Sequence, residues 1–108
     1  MQLKEKKCKP CDGNTPSIRP EDIPAWLDQL QPEWEVKDNK KITRSFRFKN
    51  FRQALNFANK AGEIAEQEQH HPDLHVYYGK VIIDLTTHAI NGLSENDFIM
   101  ASKIDHLS

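Results

Sequence analysis

Cysteine is almost absent from this chain: two in 108 residues, Cys8 and Cys11, spaced as one CxxC. A structural zinc site takes four ligands, and no second CxxC follows at zinc-finger spacing. A thioredoxin-like site needs a strand before the motif and a helix after it, whereas Pro10, Gly13, Asn14 and Pro16 surround this one. Residues 1–17 therefore read as a flexible polar arm, with metal or redox work by the cysteines as the alternative. Glycine is scarce too, four scattered residues, so no glycine-rich loop is present to cradle a phosphate. No stretch approaches the roughly 20 apolar residues of a membrane span. The first residues, Met1 to Lys7, lack the apolar run of a secretory signal, so a cytoplasmic setting without membrane contact is expected. Excess charge of either sign is missing: 15 basic against 16 acidic residues leave a net charge of −1. Nothing global then favours nucleic acid or anionic lipid. A local basic stretch, Lys40, Lys41, Arg44, Arg47, Lys49 and Arg52, fits the solvent face of a strand.

What is present is one small domain, residues 18–108, with composition suited to a single core (37% hydrophobic, 29% charged). Pro20 with Glu21 and Asp22 opens a helix in which Ile23, Trp26, Leu27 and Leu30 keep helical spacing. Residues 34–36 and 42–48 read as strands joined at Asp38-Asn39-Lys40. In the second of these Ile42, Phe46 and Phe48 share a face that Arg44 interrupts. Asn50 caps the longest helix, 51–67, with Phe51, Ala54, Leu55, Ala58, Ala61 and Ala65 as its apolar stripe. Glu63, Glu66 and Glu68 crowd its C-terminal end, against the helix dipole, which hints at another task for them. Residues 74–78 and 80–87 form a hairpin turning at Gly79, and Val81, Ile83 and Leu85 point to the core. Strict alternation puts His88 on the other face, unless the strand has already ended. Ser94 opens a last helix with a capping-box pattern to Asp97 and a stripe of Phe98, Ala101, Ile104 and Leu107. The fold class is α+β: a four-stranded antiparallel sheet with three helices packed on one face, in the order α-β-β-α-β-β-α. The uncovered face and the sheet edges invite a second subunit.

Four of the five histidines fall between residues 70 and 88. Imidazole titrates between pH 5 and 8, and adjacent His70-His71 serve a packed core poorly, so the cluster points to a site. Metal binding by His70, His71, His75 and His88 is the weaker reading, because His71-x3-His75 shares one side only on a helix and Pro72 forbids one there. A structural cluster bonded to Glu66 or Asp84 is a second reading. The favoured one is general acid–base catalysis. His70, His71 and His88 would carry protons, Glu66 or Asp97 would orient one of them, and Trp34 or Tyr78 would form an apolar wall. No nucleophilic Ser or Cys accompanies them, which leaves hydration, dehydration or isomerisation without a cofactor.

Glu66-x3-His70-His71-Pro72-x5-Tyr78-x9-His88-x8-Asp97 resembles the signature of the pterin-4a-carbinolamine dehydratases. Leu85-Thr86-Thr87-His88, Gly92-Leu93-Ser94-Glu95, Trp34 and Phe46-x-Phe48 fit the same family. The resemblance covers residues 18–107. It implies a hydro-lyase that removes water from 4a-hydroxytetrahydrobiopterin to give quinonoid dihydropterin, recycling the pterin of aromatic amino acid hydroxylases. It implies homodimers or homotetramers, with no cofactor and no metal. By resemblance, His70 and His88 are acid–base groups and His71 mainly binds the pterin. Glu66 orients a histidine, Trp34 packs near the ring with Tyr78, and Asp97 supports the site. Asn96 departs from the basic residue common in animal members. Some of those also act as dimerisation cofactors for a homeodomain factor, and a non-catalytic pterin- or protein-binding module on the same fold is the alternative function.

Overall fold

The computed structural model describes residues 3–10 and 12–107. Alternating and helical apolar spacing becomes α1 (Ile23–Leu27), β1 (Glu35–Lys37), β2 (Lys41–Arg47), α2 (Phe51–Glu68), β3 (Asp73–Tyr77), β4 (Lys80–Leu85) and α3 (Glu95–Asp105). The expected order is the observed one, with 3-10 turns added at Leu3–Glu5, Pro20–Asp22 and His88–Ile90. Both chain reversals follow from local chemistry. Asp38 and Asn39 adopt positive φ, 54° and 57°, as the β1–β2 hairpin requires of residues that tolerate the left-handed region. Gly79 closes the β3–β4 hairpin where an added Cβ would meet the Phe48 carbonyl oxygen at 3.0 Å.

The strands form one antiparallel sheet, β1-β2-β4-β3. Val81, Ile83 and Leu85 of β4 are wholly buried with Ile42 and Phe46 of β2. Over them lies α2, whose alanines at 54, 58, 61 and 65 let its backbone come close to the sheet. The true stripe of α2 runs through Phe57, which packs on Phe46 and Phe48 at ring distances of 4.5 and 5.1 Å. Phe51 and Leu55, expected in that stripe, stand 46% and 42% exposed. Phe57 completes the 54, 58, 61, 65 row at helical spacing, whereas 51 and 55 fall on its flank. α1 packs on α3 through Trp26 and Phe98, 5.5 Å apart. α3 is enclosed almost all round, Asn96 to Ser102 being buried without a break. Among the described residues no helix is long and apolar enough to cross a membrane.

Three further differences from the sequence reading matter. β4 ends at Leu85, so His88 leaves the strand pattern and opens a 3-10 turn. Arg44 does not join the solvent-facing basic stretch. It lies over the Phe46 ring at 4.2 Å and pairs with the buried Asp105 carboxylate. Residues 3–10, part of the expected arm, are docked: Leu3 is buried, Lys6 pairs with Glu95 at 2.7 Å, and Lys103 donates to the Lys4 carbonyl at 2.8 Å.

Candidate active site

The end of α2 separates its two histidines. Pro72 disfavours helical angles at His71, and the chain leaves the helix through Gln69 in the left-handed region, φ 55°. That reversal turns His70 inward, 7% exposed, and leaves His71 at the surface. His71 Nε2 meets Glu66 Oε2 on the preceding turn. Both partners are more than half exposed, so the pair orients the ring and adds little stability.

His70 meets the first turn of α3. Its Nε2 lies 2.7 Å from Oδ1 of Asp97, which is completely buried. The other oxygen, Oδ2, accepts the Thr87 hydroxyl at 2.8 Å and the Ser94 N–H at 3.0 Å, the latter as part of the α3 capping box. Thr87 Oγ1 and Ser94 Oγ share a further bond of 2.7 Å. A carboxylate only accepts, so Nε2 of His70 carries the hydrogen of this bond. Charge-assisted bonds of this kind are about twice as strong as neutral ones, and burial strengthens them further. One carboxylate thus ties His70 to Thr87, the residue next to His88.

His88 itself is exposed, on the turn that Thr87 starts by pairing with Gly92. The ends of α2 and β4 and the start of α3 therefore meet around Asp97, with His70 held, His71 flanking and His88 free to face solvent. Trp34 is not brought to this cluster. Its indole N–H donates to Asp105 Oδ1 at 2.8 Å, eight residues beyond Asp97 and about 12 Å along α3. Tyr78 stands at the tip of the β3–β4 turn, 71% exposed. Sequence reasoning quoted Thr87 in a motif without giving it a role, and passed over Asp105. The Thr86-Thr87-His88 run could have signalled the first; Arg44, a cation in an apolar strand face, signals the need for a partner such as the second.

A third histidine–carboxylate pair lies on the open face of the sheet. His75 Nε2 is 2.9 Å from Asp84 Oδ2, and Lys41 Nζ is 3.8 Å from the same oxygen. Burial raises the Asp84 pKa, but bonds from Thr43 and His75 and the charges of Lys41 and His75 outweigh it and hold the carboxyl below 3.8. Among the described residues no group of three or more His, Cys, Asp or Glu is placed to hold a metal ion. Cys11 lies outside the described residues, and so does any site made by the CxxC as a whole.

The family model described as pterin 4 alpha carbinolamine dehydratase matches residues 16–107. A relative from Rubrobacter xylanophilus is 47% identical over 98% of both chains. One from Alkaliphilus metalliredigens is 48% identical over 95% of this chain and 93% of its own. Both carry pterin-4-alpha-carbinolamine dehydratase as a provisional name. Among solved structures, a transcriptional coactivator/pterin dehydratase from Brucella melitensis superposes with a TM-score of 0.79 at 34% identity, covering 85% of this chain and 98% of that one. A pterin dehydratase-like RuBisCO assembly factor of the alpha-carboxysome shares the fold alone, with a TM-score of 0.59 at 19% identity over 69% of this chain and 88% of its own. The match over nearly the whole chain makes this protein a member of the pterin 4 alpha carbinolamine dehydratase family.

Proposed function

We propose that the chain dehydrates 4a-hydroxytetrahydropterins by histidine general acid–base catalysis. Expelling the 4a-hydroxyl requires a proton on the departing oxygen and loss of one from a pterin ring nitrogen. Two imidazoles working in opposite directions meet that need, and such a term contributes roughly 10²–10⁴ in rate. The observation that carries the reading is the buried Asp97 carboxylate, which fixes His70 on one oxygen and the residue before His88 on the other. His70 and His88 are the proton carriers in this reading. His71, steered by Glu66, binds the pterin, and Tyr78, at the other end of β3 from His71, is the aromatic candidate for its rim. Trp34 acts at a distance, through the packing of α3. No cofactor takes part, and recycling pterin for an aromatic amino acid hydroxylase in the cytoplasm is the corresponding role.

A second copy of the chain is the proposed partner. β3 is an edge strand, and Val76 on it, with Phe51 and Leu55 of α2, leaves large apolar side chains exposed. Light scattering on the purified protein tests the assembly. The activity is tested by following absorbance as a synthetic 4a-hydroxytetrahydropterin loses water. Acceleration over the uncatalysed reaction supports the reading; pterin binding without acceleration replaces the enzyme with a binding module.

A further inference from the structure

Residues 3–10 run across the two elements that carry His70 and Asp97, and the side chains beside those residues hold them there. Glu68, the last residue of α2 and two before His70, accepts the Cys8 N–H at 2.8 Å. Asn96, immediately before Asp97, reads both sides of Lys9: Oδ1 accepts its N–H at 3.0 Å and Nδ2 donates to its carbonyl at 2.7 Å. Both side chains are enclosed, Glu68 at 6% and Asn96 at 5% exposure. Neither is a natural choice for its place. A carboxylate at a helix C-terminus opposes the dipole, and the ammonium of Lys103 approaches it only to 3.8 Å. An enclosed amide needs partners for both its ends, and Lys9 supplies them.

These bonds close a ring. It runs from the docked segment to Glu68, along the chain to His70, across to Asp97, back to Asn96 and into the segment again. In a closed ring the gap between the end of α2 and the start of α3 cannot change without breaking one of these bonds. We propose that Glu68 and Asn96 are positioning residues, through which residues 3–10 set the geometry of His70 against Asp97 for the acid–base step. The proposal deepens the dehydratase reading and rests on it for the chemistry, but its geometric half has a readout that needs no turnover.

The test uses the full chain with ¹⁵N-labelled histidine and three substitutions, Glu68→Ala, Glu68→Gln and Asn96→Ala. Long-range ¹H–¹⁵N spectra follow the hydrogen bonding of the His70 ring, and kinetics separate kcat from KM. Glu68→Ala and Asn96→Ala are expected to shift the His70 ring signals and lower kcat by roughly tenfold or more, with KM within about twofold. Glu68→Gln, which keeps an oxygen for the Cys8 N–H, is expected to restore both. Unmoved His70 signals in the two alanine variants, with only a lower melting temperature, would reduce the segment to a stabilising strap and overturn the proposal. Equal effects of Gln and Ala at position 68 would overturn it as well, since Glu68 would then act by charge. A wild-type protein without turnover would sink the dehydratase reading, while the ring signals would still decide the coupling by the same criteria.

Discussion

Asp97→Asn removes one charge and no volume, and the surroundings dictate how the amide must sit. Two donors, the Thr87 hydroxyl and the Ser94 N–H, converge on Oδ2, so the amide oxygen goes there. The amide NH₂ then faces Nε2 of His70, where the carboxylate had accepted a hydrogen. Two donors cannot share that contact, so the ring must move its hydrogen to Nδ1. The bonds from His70, Thr87 and Ser94 all lose their charge assistance in a fully buried setting, at a combined cost of about 2 kcal/mol. For a domain of this size that lowers the melting temperature by roughly 8 °C. The catalytic loss is larger, because the imidazolium loses its counter-charge and Nδ1 changes from acceptor to donor. A fall in kcat of roughly 10²-fold is expected. The assay is the same pterin absorbance change, run beside histidine ¹⁵N spectra that report the tautomer. A kcat within about threefold of wild type, with Nε2 of His70 still protonated, would refute the reasoning, because Asp97 would then be a structural cap and no more.

His88→Ala should reduce turnover by tenfold or more while the melting temperature barely moves, since the exposed ring supports little of the fold; calorimetry beside kinetics checks both halves. Arg44→Ala should destabilise strongly, by about 3–5 kcal/mol in urea unfolding, because it takes the guanidinium counter-charge away from the buried Asp105 carboxylate. Asp84 has a depressed pKa in the folded state, so its contribution to stability is complete above the ordinary 3.8 and fades as pH falls through the lower folded value. Acid unfolding of Asp84→Asn should accordingly show a shallower loss of stability below that pH than wild type, and coincident curves would count against the His75–Asp84–Lys41 cluster.

Where a residue's role is set by its immediate neighbours, the sequence carried it. The β4 alternation, the Asn50 cap with its bond from the Gln53 N–H, the reversal before Pro72 and the Ser94–Asp97 box are all local. The joining of His70 to Asp97 was not local: it spans 27 positions, and the residues alone left Glu66 and Asp97 as alternatives for orienting a histidine. Arg44 was visible as an anomaly, but its partner sits 61 positions away at the far end of α3. The α3 stripe was drawn too narrow because the side away from the sheet is covered by residues 3–10, which polar composition marked as free chain. The misplaced α2 stripe has a different cause. Phe51 and Leu55 are apolar and near the right spacing, and nothing in one chain tells an apolar flank kept for a neighbour from one kept for the core.

Because α3 is enclosed on nearly every side, its backbone amides can meet bulk water only when the whole domain opens. Deuterium should enter there last. The carboxylate that organises the histidines is therefore anchored in the part expected to exchange last, while His71 and His88 stand exposed at the surface, and substrate can be admitted without loosening the group that holds the proton in register.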